Sequence, residues 1–465
     1  MDHDDLAHWS KRAADWARDY HAGLRGRPVR PDLTPGDFRK LIEAPVPEAP
    51  TPIEEVFDDF ARLVPDAMTH WQHPRFFAYF PANAAPASML AEQLAGAMAS
   101  QAMLWQTAPA ANEMEALVID WLRDALGLPQ DFTGTIHDSA TTATFSAVLT
   151  MRERALGYTG LTEGLSGAPR LRLYASAQTH SSVDKAARLS GIGQDNLVKI
   201  PGRANDPLYS MDPDALDAAI RADLAAGHRP AGVILATGGT AIGACDDLAA
   251  CIGVAKAHGL PTHVDAAWAG TAMIAPEFRH LWAGIEGADS IVFNPHKWLG
   301  AQFDASVQFL RDPAPQIATM GLRPDYLQTR HVDEVVNYNE WTLPLGRRFR
   351  ALKLWFLLRI EGLEALRTRI RNHVAWSEEA ARAIAAMDGF EIVTGPILSL
   401  FSFHYRDDAT TAALLDEVNR DGRIYVTQTT HEGRFVIRVQ VGPWDCTRDD
   451  VLAIPQALAA AAARL

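Results

Sequence analysis

Apolar positions recur at helical spacing near the start of the chain, at Leu6, Trp9, Ala13, Trp16, Tyr20 and Leu24, with charged residues between them. That period predicts an amphipathic helix from about residue 4 to 25. A proline-rich connector from Pro28 to Pro52 follows, then a second helical pattern over Ile53–Leu63. This opening cannot bury a compact core alone, so it is expected to pack against something else, most naturally a partner subunit. A helical pattern over Glu113–Leu126 begins a different texture. Short apolar runs now alternate with helical ones: Leu171–Tyr174, Leu197–Ile200, Gly232–Thr237, Pro261–Asp265, Ser290–Phe293 and Phe303–Leu310. Asp246 is expected to cap a helix running to His258. Apolar strands separated by helices predict an α/β domain with a mostly parallel sheet. After a long helix opening near Arg350, the pattern changes again. Helical periodicity near Leu363–Met387 and strand-like runs at Phe390–Val393, Leu398–His404, Arg423–Thr427 and Phe435–Val441 predict a small α+β domain. The expected division is an N-terminal helical segment (1–80), a large α/β domain (81–355) and a small C-terminal domain (356–465).

Composition narrows the class. The 465 residues suffice for two or three domains, and 48% apolar with 22% charged residues is ordinary for a globular chain. A formal charge of −14 argues against nucleic acid or an anionic membrane as the main partner. No apolar run reaches the roughly 18 residues of a membrane span, and the acidic start Met1-Asp2-His3-Asp4-Asp5 has no signal-peptide core. Cys245, Cys251 and Cys446 lack the spacing of a disulfide framework or metal site. A cytoplasmic protein without a metal is expected.

Candidate chemistry gathers at strand ends. Asn294-Pro295-His296-Lys297-Trp298 follows the run Ser290–Phe293, and His263-Val264-Asp265-Ala266-Ala267-Trp268 ends the strand before it. Taken alone, Lys297 reads equally well as a solvated loop lysine. With Asp265 one helical crossover away, the pair suits pyridoxal phosphate: the amine condenses with the aldehyde, and the carboxylate keeps the pyridine nitrogen protonated. Upstream, Ser139, Ala140 and Thr141 open a helix, which fits either an ordinary cap or a phosphate site. His180 stands before another helix as a cap or a stacking group. Gly238-Gly239-Thr240 permits close backbone approach at the end of a strand. The aromatic stretch His70–Asn83 is either a loop stapled to the core or the wall of a substrate pocket. Arg438, inside an apolar strand, either pairs with a carboxylate or holds a substrate's.

The two motifs together resemble the pyridoxal-phosphate-dependent group II decarboxylases, most closely the aromatic-L-amino-acid decarboxylases. The resemblance covers nearly the whole chain. It implies the fold-type I, aspartate aminotransferase-like architecture and a homodimer clasped by the N-terminal segment, with its active site at the subunit interface. It further implies that Ser139, Ala140 and Thr141 take the cofactor phosphate and that His180 stacks on its ring. Thr240, Asp265, Ala267, Asn294, His296 and Lys297 would complete the cofactor site. Trp71, Tyr79, Phe80, Pro81, Ala82, Gln101 and Met103 would line the substrate pocket. Ala82 replaces a hydroxyl-bearing residue of catechol-handling members, and Met103 stands where an aromatic is common. The stretch Arg323–Trp341 matches a lid that carries a proton-delivering tyrosine across the dimer, here matched to Tyr338. That tyrosine favours amine formation over oxidative conversion to aldehyde. The expected activity is decarboxylation of an aromatic L-amino acid to its amine. The alternatives are an aromatic aldehyde synthase and a decarboxylase of non-aromatic amino acids. Nothing in the sequence ranks the aromatic substrates.

Overall fold

The computed structural model describes residues 1–322 and 334–465. The expected lid falls partly on 323–333, outside the described residues. A seven-stranded sheet organises the large domain, from β1 (Thr133–His137), β2 (Leu171–Ser176), β3 (Leu197–Ile200), β4 (Arg229–Ala236), β5 (Thr262–Asp265), β6 (Ser290–Phe293) and β7 (Ser306–Leu310). Its order is β1-β7-β6-β5-β4-β2-β3. The run from β6 to β3 is parallel, and only β7 runs antiparallel to its neighbours β6 and β1. Helices cover both faces, which is why the parallel strands read as near-continuous apolar runs. Register pairs Ala236 with Asp265 and Asp265 with Val292. The chain therefore leaves β4, β5 and β6 at one edge, where open α/β sheets bind ligands.

Local chemistry sets the helix ends. The helix Pro109–Leu126 begins earlier than its apolar period because Pro109 fixes its first turn. Ala140–Leu156 is capped by Ser139, whose Oγ accepts from Thr142 N at 3.2 Å. The cap expected at Asp246 falls instead on Asp247, which accepts from Ala250 N at 3.1 Å. Asp246 is buried and accepts from Ala236 N and Met211 N, each at 2.7 Å, bracing the end of β4.

The small domain is an antiparallel sheet, β10-β11-β9-β8, formed by β8 (Phe390–Ile397), β9 (Leu400–Tyr405), β10 (Thr427–His431) and β11 (Arg434–Gln440). The strand expected over Arg423–Thr427 is displaced, because those residues have other partners. Asn419 brackets Val426 through its N (3.1 Å) and O (3.0 Å), and Tyr425 pairs with the backbones of Arg75 and Phe77. Gln440 N also donates to Phe77 O at 2.9 Å, and the Phe77 side chain joins the small domain's core. The aromatic stretch is thus sewn to the C-terminal sheet.

The N-terminal helix His3–Gly23 packs on Ile53–Leu63 through Trp9–Phe57 and Trp16–Phe60 contacts at 5.2 and 4.9 Å. Leu41, Ile42, Val46, Val56 and Phe60 of this segment remain exposed. Among the described residues no helix is long and apolar enough to cross a membrane.

Candidate active site

Lys297 sits in a single π-helical turn, Pro295–Leu299, directly after β6. Such turns concentrate at functional sites. Gly300 closes it at φ 112°, and a Cβ there would meet Trp444 at 2.1 Å, so only glycine fits. Asn83 locks the turn: its Nδ2 donates to Lys297 O at 2.8 Å and to Gly442 O at 2.9 Å, while its Oδ1 accepts from Trp444 N. The Lys297 amine lies 4.8 Å from the centroid of the Phe80 ring. Burial pushes the amine down to about 8 against the pull of Asp265, with Arg438 adding to the depression.

A cavity of about 220 Å³ joins the strand ends. Lys297 and Asp265 line it together, along with Ser139, Ala140 and Thr141, His180, Thr240, Ala267, Asn294 and His296. The Asp265 carboxylate is oriented by accepting from Ala267 N at 3.0 Å. His180 Nδ1 accepts from Ser182 N at 3.1 Å, so the remaining ring nitrogen is free to carry the proton. Its pKa is lowered, loss of water outweighing the nearby Asp265 carboxylate. The floor includes Gly238, where φ is 82° and a Cβ would strike Ala269 at 2.4 Å. Three buried polar atoms on cavity-lining residues, Ser182 Oγ, Trp268 Nε1 and Asn294 Oδ1, have no partner among the described residues. Buried polar atoms are normally satisfied. A polar, ring-shaped ligand with an anionic group at the helix start fits this donor set, and pyridoxal 5'-phosphate is such a ligand.

A larger cavity of about 980 Å³ opens beyond it, sharing Lys297, His180 and Phe80. Trp71, Tyr79, Phe80, Pro81 and Ala82 form one wall. Trp71 stacks on Tyr79 at 5.9 Å, and Phe80 stacks on Trp268 at 5.0 Å, with Trp298 continuing the stack at 5.2 Å. Thr427, Gln428 and Thr429 of β10 and Arg438 of β11 form another wall. Arg438 is 4% exposed and has no carboxylate partner among the described residues. Its Nη1 donates to Tyr79 O at 2.6 Å, its guanidinium lies 4.5 Å from the Phe80 centroid, and its Nε and Nη2 are unpartnered. Burial lowers its pKa to about 9.

Three expected residues are elsewhere. Tyr338 is 2% exposed, packed against Leu310 and Trp341 and under the Arg347 guanidinium at 5.0 Å. It lines neither cavity of its own protomer, where Trp341 and Arg347 enclose its ring. Gln101 and Met103 also lie outside both cavities. Gln101 Oε1 accepts from Arg347 N at 2.6 Å, and Met103 O accepts from Asn339 N at 3.1 Å. In the basic run Arg347–Arg350, Arg347 is buried on Glu115 at 2.6 Å, Arg348 pairs with Glu92, and Arg350 with Asp304 at 2.8 Å. Sequence reasoning missed Asn83, Phe303, Gln178 and the β10 residues. Asn83 stood within the aromatic stretch, but nothing in its spacing marked it as the lock on Lys297.

A family model described as the pyridoxal-dependent decarboxylase conserved domain matches residues 35–406. The aromatic-L-amino-acid decarboxylase of Sus scrofa is 36% identical over 457 residues, covering 95% of this chain and 93% of that protein. The phenylacetaldehyde synthase of Arabidopsis thaliana is 34% identical over 458 residues, with 95% and 92% covered. The crystal structure of Oryza sativa TDC with PLP and tryptamine superposes with a TM-score of 0.96 at 33% identity, covering 100% of this chain and 99% of that one.

Proposed function

The chain belongs to the pyridoxal-dependent decarboxylase family, and from that premise we propose that it removes the carboxylate of an aromatic L-amino acid, releasing carbon dioxide and the amine. The observation that carries the reading is the joint lining of one small cavity by Lys297, Asp265, His180 and the Ser139–Thr141 helix start, with an aromatic wall beside it. Pyridoxal phosphate, when bound, supplies an aldehyde that couples to amines and a protonated pyridine ring that draws in the electron pair left by the departing carboxylate.

The chain's own residues do the rest. Lys297 holds the aldehyde end, and its depressed pKa keeps a useful fraction of the amine neutral and nucleophilic near pH 7. Asp265 would hold the proton on the pyridine nitrogen through a charge-assisted hydrogen bond. Ser139, Ala140 and Thr141 would hold the phosphate at the start of a seventeen-residue helix. His180, which lines the same cavity, would stack on the ring and fix its plane. Thr240, Ala267, Asn294 and His296 complete the cofactor's surroundings. Trp71, Tyr79, Phe80, Pro81 and Ala82 hold the substrate's aromatic ring, and the unpartnered nitrogens of Arg438 take its carboxylate. Lys297 Nζ, able to hold a proton near neutral pH, returns one to the substrate carbon.

The larger cavity lacks Gln101 and Met103 within one protomer, and the N-terminal segment exposes an apolar face. Both favour a homodimer in which a second copy completes the substrate pocket. The division 1–80, 81–355 and 356–465 remains our assignment of the parts, with the first clasping the partner. Three buried, free cysteines suit a reducing cytoplasm.

A panel of amino acids, with carbon dioxide, amine, aldehyde and hydrogen peroxide measured for each, tests the reading. Amine and carbon dioxide from aromatic substrates support it. Stoichiometric peroxide with aldehyde favours the synthase alternative, for which the Arabidopsis relative is the reason, and activity confined to acidic amino acids removes the aromatic assignment.

A further inference from the structure

Beneath the cofactor cavity, one face of the sheet carries polar side chains where the opposite face carries Ile136, Ile291, Phe293, Val307 and Phe309. Gln308 of β7 lies at their centre and is fully buried. Its Oε1 accepts from Gln316 Nε2 at 3.0 Å and lies 2.7 Å from His137 Nε2. An amide oxygen only accepts, so His137 carries its proton on Nε2. Both Gln308 amide hydrogens are also used, on Ser290 Oγ and Gln316 Oε1, each at 3.0 Å. Ser290 Oγ continues to His263 Nδ1 at 2.9 Å, and His263 Nε2 to Thr144 Oγ1 at 3.2 Å. At the other end Gln316 Nε2 donates to Trp341 O at 2.8 Å. All six side chains are buried.

Two of the four bonds of Gln308, to His137 and Ser290, lead to elements that deliver different parts of the cofactor grip. His137 ends β1, two residues before Ser139. Ser290 begins β6, which leads to Lys297. His263 is two residues before Asp265 on β5, facing the same side of the sheet. Thr144 lies one turn past Thr141. An apolar cluster would hold these elements together but would not fix their offset, because apolar contacts are non-directional whereas a saturated amide has one geometry. We propose that Gln308 is a positioning residue, the hub of a buried polar network that sets the phosphate turn, Asp265 and Lys297 at mutually correct offsets and ties them, through Gln316, to Trp341. The proposal rests on the reading of the Lys297 cavity as the cofactor site.

The test compares holoenzymes of wild type, Gln308→Met, Gln308→Glu and Gln316→Leu. Three readouts are followed: the rate at which PLP is lost to a scavenger, the visible band of bound cofactor, and thermal unfolding. Gln308→Met should release PLP about tenfold faster and shift the band. Gln316→Leu, which leaves the His137 and Ser290 bonds in place, should lose comparable stability with PLP release within about twofold of wild type. Gln308→Glu keeps the acceptor for His137 and should recover part of the retention; it also reads the same rates if the Met variant does not fold. PLP release that simply tracks melting temperature across the variants, or is unchanged in Gln308→Met and Gln308→Glu, overturns the hub. Failure of wild type itself to bind PLP would instead sink the reading of the site, so the two failures are distinguishable.

Discussion

Replacing Arg438 with Met removes a cation that has no counter-ion among the described residues and retains most of the side chain's bulk. The Arg438 guanidinium carbon and the Lys297 amine lie 4.5 and 4.8 Å from the centroid of the same Phe80 ring. The two cations are therefore no more than about 9 Å apart. At an effective dielectric of about 20, that separation corresponds to a repulsion of at least about 1.8 kcal/mol, or roughly 1.3 pKa units. Arg438 thus adds, behind loss of water, to the pressure that holds the Lys297 amine near 8. In Arg438→Met the amine should titrate near 9, leaving about tenfold less neutral amine at pH 7. The assay is the pH dependence of PLP capture by apoenzyme, followed at the visible band. The midpoint should move up by about one unit, and capture at neutral pH should slow about tenfold. Arg438→Lys, which keeps the charge, should leave the midpoint within a few tenths. An unmoved midpoint in a folded Arg438→Met protein would refute the electrostatic reasoning, and an equal shift in Arg438→Lys would assign the effect to packing.

Other expectations come from the same geometry. Glu115→Ala strands the buried Arg347 guanidinium and should cost about 3–5 kcal/mol, visible in denaturant unfolding; a loss below about 1 kcal/mol would mean that the pair contributes little. Tyr338→Phe should leave the amine-to-aldehyde ratio unchanged, because that ring lines neither cavity of its own protomer; a shift toward aldehyde would support proton delivery across the dimer. Burial holds His73, His137 and His263 near 4, so the unfolded chain binds more protons than the native one below about pH 6.5. Stability should fall as pH drops from there toward 4, by up to about 1.4 kcal/mol per pH unit for each histidine, and a flat melting temperature across that window would contradict it.

The parallel strands were legible because burial on both faces leaves an uninterrupted apolar run, and the residues at their ends inherit a common edge from the topology. That is how Lys297 and Asp265, far apart in sequence, could be paired before any coordinates. What the sequence hid depends on long-range backbone pairing. Tyr425 looked like strand because its apolar neighbours alternate, yet its backbone is taken by Arg75 and Phe77, which pushes β10 past it. Asp246 and Asp247 are equally good caps by type, and only the buried backbone donors of Met211 and Ala236 decide between them. The enclosure of Tyr338 was hidden because an aromatic in a polar stretch looks mobile. The Arg347–Glu115 pair that encloses it is 232 residues apart in sequence. Gln308 and Gln316 gave no signal at all, since an amide saturated by four hydrogen bonds to three residues resembles any strand glutamine.

The account's central claim is that Lys297 covalently holds the cofactor. Borohydride reduction of the holoenzyme, followed by peptide mapping, should place the pyridoxyl group on Lys297 and nowhere else, with Lys297→Ala losing both the label and the visible band. A pyridoxyl group on another lysine, or a yellow Lys297→Ala protein labelled as fully as wild type, would contradict it.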